Sequence, residues 1–322
     1  MSRALHRLPL AALAVLATLA LSAPALAQTL TVVGFNVESG AANPQVIAEQ
    51  IGPLRDIDIW GFSEVRNAGE GQILAGGAAD GESGTFESIL GTTGDQDRLL
   101  IVYNSDRLDL VQNGEIQELN IGGRVRAPLW AQFRVKPSGP EFIFMVNHLY
   151  RGNDAGRRAQ AQGLNDWART RTVPVIATGD YNFDWHFQTG DTNHDQGYDL
   201  ITSGGILQWV RPPAPLVPTN CSFHQSVLDF VFVSGAAQGW HGEGEILFPQ
   251  PTYCPDTAST SDHRPVLARF DLAGGPGPGP GPGPGSGGID AKKQEILQKI
   301  QTLEQELASL RALVESLDCG GS

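Results

Sequence analysis

Short apolar, β-rich runs recur along most of this chain, and a polar cluster follows or interrupts nearly every one. Leu30–Phe35 leads to Asn36, Ile57–Phe62 to Glu64, Phe142–Val146 to His148, and Val173–Ala177 to Asp180 and Asn182. Asp229 lies within Val227–Val233, and Asp262-His263 stands just before Val266–Phe270. A strand end holds a side chain rigidly while exposing it at the rim of a sheet. If these strands align, their carboxylates, amides and imidazoles converge in one cleft. Oxygen-rich chemistry of that kind suits a hard divalent metal and the hydrolysis of a phosphoester.

The amino terminus reads as a secretory signal over residues 1–27. Arg3 and Arg7 precede an apolar stretch from about Leu10 to Ala23, and Ala25-Leu26-Ala27 gives a small-x-small cleavage pattern before Gln28. The stretch falls short of the ~20 residues that span a bilayer, so no stable membrane anchor is expected. The mature chain is expected to begin at Gln28 and to be exported, to the periplasm or beyond the cell. Loss of Arg3 and Arg7 takes the formal net charge from −13 to −15. Such an acidic chain is unsuited to broad electrostatic binding of nucleic acid or anionic membrane, though a local phosphate site remains open to it. Three cysteines are too few for a disulfide scaffold. In an exported chain Cys221 and Cys254 can form one bridge, and two buried thiols are the alternative.

Residues 28–273 have the length and apolar content of one large domain. Further strand-like runs are Leu99–Tyr103 and Ala127–Val135, and helical spacing marks Pro44–Ile51 and Arg157–Thr170. Gly69–Gly84 and Gly91–Gly94 are expected to be surface loops. Many strands with a few helices between them suggest two packed sheets with helices outside. Composition changes at Gly274: residues 274–288 form a Gly/Pro linker, and residues 289–322 carry a heptad repeat. Ile300, Leu307 and Val314 occupy a, while Ile296, Leu303, Leu310 and Leu317 occupy d. The spacing predicts a C-terminal coiled-coil helix making parallel homo-oligomers, in which Cys319 residues of neighbouring chains would meet.

The ordered set Asn36, Glu64, His148, Gly179-Asp180-Tyr181-Asn182, Asp229 and Ser261-Asp262-His263 resembles the endonuclease/exonuclease/phosphatase superfamily. That group includes pancreatic-type deoxyribonuclease, sphingomyelinase and inositol polyphosphate phosphatases. The resemblance spans about Thr29 to Leu272 and implies an α/β fold, a four-layer sandwich of two packed mixed sheets flanked by helices. It also implies roles. Glu64 would bind Mg²⁺ or Mn²⁺, with Asn36 and Asp262 in the same metal environment. Asp180 would align or deprotonate the attacking water, and Asn182 would donate to a phosphoryl oxygen. His263 would contact the scissile phosphate with Asp262 fixing its tautomer, and Asp229 would lie near the metal or pair with an imidazole. His148 would protonate the leaving oxygen.

Arg126, in Arg126-Ala127-Pro128-Leu129, and Arg157, in Arg157-x-x-Gln160, resemble further family segments, and each is open between phosphate anchor and structural ion pair. His148 stands where the apurinic-endonuclease branch carries Tyr, which disfavours DNA repair. The resemblance implies a phosphoester hydrolase, the amino-terminal signal implies export, and together they favour nucleic acid as the substrate. Sphingomyelin and inositol phosphate are alternatives, and a non-catalytic binding module multimerised by its tail is a reading of another class.

Overall fold

The computed structural model describes residues 28–222, 225–254 and 259–272. The signal segment 1–27, the linker 274–288 and the coiled-coil tail 289–322 with Cys319 lie outside the described residues. Among the described residues, twelve strands and four α-helices follow in chain order: β1 (Thr29–Asn36), α1 (Pro44–Ile51), β2 (Ile59–Val65), α2 (Ala68–Ala79), β3 (Phe86–Leu90), β4 (Arg98–Asn104), β5 (Leu108–Glu115) and β6 (Leu129–Val135). The second half runs β7 (Glu141–His148), α3 (Asp154–Arg169), β8 (Val175–His186), α4 (Gln196–Thr202), β9 (Leu207–Trp209), β10 (Ser226–Ser234), β11 (Glu243–Ile246) and β12 (Val266–Asp271).

The strands form two six-stranded sheets, ordered β11-β12-β1-β2-β4-β3 and β5-β6-β7-β8-β10-β9. Each sheet holds one parallel pair, β1 with β2 and β7 with β8, and every other pairing is antiparallel. A parallel pair needs a crossover, which α1 and α3 supply. Alternation along β1 sends Leu30 and Val32 into the space between the sheets, and Val33 and Phe35 outward onto Ile47, Ile51 and Leu74 of the helical layer. Gly34 and Gly61 let the sheets approach closely. A Cβ on Gly34 would fall 1.9 Å from Thr178 Oγ1, and one on Gly61 would fall 2.6 Å from Val146 Cγ2. The result is the expected four-layer sandwich, and both parallel pairs end at the same rim.

Two sequence expectations are corrected. The glycine-rich stretch expected to be a surface loop contains α2. The Asn67 side chain caps this helix by accepting from the amides of Gly69 and Glu70 at 2.9 and 3.1 Å, and Leu74 and Ala78 bury one face. Gly77 is there for contact, since a Cβ would lie 2.6 Å from Ala48 Cα of α1. In addition, Asp180 and Asn182, expected past the end of their strand, sit inside β8, while Asp229 lies inside β10 as its run Val227–Val233 implied. Backbone irregularity is what presents them: Gly179 has φ 134°, Asn182 has φ 53°, and the β8–β10 register shifts between Val227 and Asp229.

Candidate active site

Asn36, at the end of β1, joins the two sheets. Its Nδ2 donates to Glu64 Oε1 at 3.0 Å and to Asp180 Oδ2 at 3.2 Å, while its Oδ1 accepts from the amide of Glu38. Glu64 has φ 67°, a conformation costly for a residue with a Cβ and one that concentrates at functional sites. Its other oxygen accepts from the Ser39 amide at 2.8 Å and the Ser39 hydroxyl at 2.9 Å. All of these donors are neutral, and Glu64 has no Lys or Arg partner among the described residues.

Asp180 is the centre of the cluster. Its Oδ1 accepts from the Asn182 amide at 2.9 Å. Oδ2 faces His148 Nε2 at 3.5 Å and His263 Nε2 at 3.8 Å. Burial raises the Asp180 carboxyl to about 7, the His263 charge works against that rise, and Asp229 and Glu64 add to it. His148 lies at the end of β7, where burial and the nearby Arg126 and His263 charges hold its pKa well below the ordinary imidazole value. It is therefore neutral near pH 7, which disfavours the sequence-based role of ready proton donor.

His263 has the opposite state. Burial disfavours its charge, but the Asp229 carboxylate, 2.7 Å from Nδ1, together with Asp180 and Asp262, outweighs burial and raises it to about 10. Two segments clasp the turn that carries His263. On one side Asn220 bridges to His263, and the Cys221 amide donates to the Asp262 carbonyl at 2.6 Å. On the other, the Tyr253 hydroxyl donates to the His263 carbonyl at 2.6 Å. The Cys221–Cys254 disulfide links the two sides, as the pairing from sequence expected. Thr219 Oγ1 accepts from the amides of Leu228 and Asp229, which fixes the partner strand as well.

The structure thus brings Asn36, Glu64, His148, Asp180, Asn182, Asp229, Asp262 and His263 to one rim, with changes of detail. Asp262 does not set the His263 tautomer, because Asp229 occupies Nδ1 and Asp262 Oδ1 is 3.8 Å from Nε2. Its Oδ2 is held by Asn220 Nδ2 and Ser222 Oγ, both at 3.1 Å. Asn36 presents N–H groups to the carboxylates, so it aligns them and does not offer a ligand oxygen. Asn182 Nδ2 is already bonded to the Leu149 carbonyl at 3.0 Å. Arg157, 4% exposed at its side chain, is consumed by Asp154, Asp195 and the carbonyls of Tyr150 and Arg151, so it serves structure. Arg126 grips Asp97 with two nitrogens, and Asp97 in turn receives the Ser39 hydroxyl that steadies Glu64.

Sequence reasoning missed Ser39, Asp97, Arg151 and Thr219, all loop or flanking positions. Only Asn147, beside His148, left a trace in a motif, and its Nδ2 donates to the Tyr181 hydroxyl at 3.0 Å. Trp185 stacks on His194 in an aromatic cluster with Tyr198 and Trp209, while His186 stacks on Phe187.

The donor set fits a hard divalent cation. Four carboxylates meet at the rim: Asp180, Asp229 and Asp262 face the charged imidazole of His263, Glu64 is joined to Asp180 through Asn36, and Asp229 Oδ1 is buried without a hydrogen-bond partner among the described residues. No three His, Cys, Asp or Glu close into a cage among those residues.

Solved structures share this architecture. An endonuclease/exonuclease/phosphatase family protein from Bacteroides thetaiotaomicron is 24% identical, with TM-score 0.57, covering 77% of this chain and 97% of its own. The mannosyl-6-phosphatase of the same organism is 23% identical, with TM-score 0.55 and coverages of 74% and 98%. D. rerio TDP2 complexed with single strand DNA product is 14% identical, with TM-score 0.55 and coverages of 75% and 98%. These likenesses concern the fold. No curated protein matches the chain. The Endonuclease/Exonuclease/phosphatase family matches residues 33–263, from the first strand of the sandwich to the paired histidine, and the chain belongs to that family.

Proposed function

We propose that this protein is an exported, divalent-metal-dependent phosphodiesterase acting on nucleic acid. The observation that carries the chemistry is the meeting of Asn36, His148 and His263 on one oxygen of Asp180, beside an unpaired-by-cation Glu64. Family membership supports a phosphoester hydrolase. Mg²⁺ or Mn²⁺, held through Glu64, would supply positive charge against the phosphoryl oxygens.

The chain's own groups account for the rest. A water oxygen attacks phosphorus as the bond to the leaving oxygen breaks; Asp180 Oδ2 takes the water proton, and the leaving oxygen takes a proton from solvent. A carboxyl near 7 is matched to that task at neutral pH. His263, kept cationic by Asp229, faces the negative charge that builds on the phosphoryl group. His148, kept neutral, offers one N–H to a phosphoryl or leaving oxygen. Asn182 keeps Asp180 in place through its amide.

Export is supported by the amino-terminal pattern of residues 3–27 and by the Cys221–Cys254 bridge, since disulfides persist in oxidising compartments. The test is to incubate the mature protein with Mg²⁺ or Mn²⁺ and, separately, plasmid DNA, RNA, sphingomyelin and an inositol polyphosphate. Cleavage of DNA or RNA at the highest kcat/KM is expected. Turnover of a lipid or inositol phosphate alone would replace the substrate, and no turnover of any would remove the enzymatic reading.

A further inference from the structure

We propose that Arg151 forms an anion subsite next to the scissile position, taking a neighbouring phosphate of a nucleic-acid strand; this rests on the reading above. Arg151 lies in the loop between β7 and α3, three residues beyond His148. Its Nη1 is 2.8 Å from Asp184 Oδ1 and 3.3 Å from Asn182 Oδ1. Asn182 is buried, and its amide bonds the central Asp180 carboxylate. The guanidinium therefore stands one residue away from the reacting centre. Asn182 and Asp184 both have positive φ, 53° and 46°, so β8 leaves its regular pleat where it meets this arginine.

The two arginines that the sequence singled out cannot do this work. Arg157 is buried in its ion pairs and Arg126 is clamped on Asp97. The side chains of Arg151 and Asp184 are 36% and 44% exposed. An ion pair that open to water contributes little stability, so exchanging Asp184 for a substrate phosphate costs little. A guanidinium fork matches phosphate oxygens and gains from charge-assisted bonding. In a chain of net charge −13, one such local cation also decides where a polyanion docks.

The test compares Arg151→Ala and Arg151→Lys with wild type on a single-stranded oligonucleotide and on bis(4-nitrophenyl) phosphate, which has one phosphate only. Binding of a labelled oligonucleotide in EDTA is followed alongside by anisotropy. Arg151→Ala should raise KM for the oligonucleotide about tenfold, weaken its binding similarly, and leave a several-fold smaller effect on the small diester. The salt slope of binding should fall by about one, with Lys restoring part of the loss. Equal losses on both substrates would reduce Arg151 to a support for Asn182 and overturn the subsite, as would unchanged binding. If wild type hydrolyses neither substrate but Arg151→Ala still weakens binding, the subsite stands and the hydrolase reading falls.

Discussion

Oδ2 of Asp229 lies 2.7 Å from Nδ1 of His263, although the two residues are 34 positions apart, one inside β10 and the other in the turn before β12 of the opposite sheet. The pair turns a buried imidazole into a stable cation, because the carboxylate returns more favourable energy than burial removes. It also leaves Nε2 pointing at Asp180. Asp229→Asn keeps the side-chain shape and removes the charge. We expect kcat to fall by ~10²–10³, the scale of losing one transition-state interaction, while far-UV circular dichroism is unchanged. Near-wild-type turnover would show that the pair is structural only.

The metal reading makes a separate prediction. EDTA should abolish hydrolysis of a simple phosphodiester, and Mg²⁺ or Mn²⁺ should restore it. Glu64→Gln should raise the metal concentration for half-maximal activity by tenfold or more, since a charged oxygen ligand becomes neutral. Turnover that survives exhaustive chelation would end this assignment.

The Cys221–Cys254 bridge closes a loop with a sequence separation of 33. On the chain-entropy model, replacing both cysteines with Ser should cost about 3–4 kcal/mol, read from urea denaturation midpoints. Because the bridge ties the two segments that clasp His263, kcat should drop as well at temperatures where the variant is fully folded. Stability and kcat both unchanged would mean that the hydrogen bonds of the clasp suffice alone.

Asp58 gives a pH-dependent stability effect remote from the reaction. Burial raises its carboxyl from 3.8 to about 6, against the Thr31 amide and Arg107, which lower it. The folded state thus holds this proton more tightly than the unfolded state. The group's contribution is fully favourable below pH 3.8 and is lost as pH rises through 6. The gap is worth up to about 3 kcal/mol. Asp58→Asn should therefore gain Tm relative to wild type between pH 4 and pH 7. A Tm difference that is constant across that range would contradict the assignment.

The heptad tail predicts parallel homo-oligomers. In a parallel pair with Ile300 at a, Lys299 at g meets Glu304 at e of the partner helix, and Glu306 meets Arg311. Light scattering of the mature chain should give a multiple of the mass found for a chain truncated after Ala273. Equal monomeric masses would remove the coiled coil.

Much of this was legible in the sequence, because strands and amphipathic helices write their period locally. The run Leu30–Phe35 falls inside β1, Pro44–Ile51 is α1, and Val227–Val233 falls inside β10. The order of Asn36, Glu64, His148, Asp180, Asp229 and His263 also marked the residues that would share a rim, and Cys221 and Cys254 do meet. The tertiary structure alone decided which partner each took. Asp229, not the adjacent Asp262, holds His263, because strand register and the Thr219 clasp place it there and sequence proximity does not. Arg157 turned inward to Asp195 while Arg151 came to lie beside Asn182, a choice made by how α3 packs on its sheet. The glycines of Ala68–Ala79 read locally as breakers, yet a cap at Asn67 and close contact with Ala48 make that segment a helix. Side-chain pairing across sheets depends on distances set by the whole fold, and no local period encodes them.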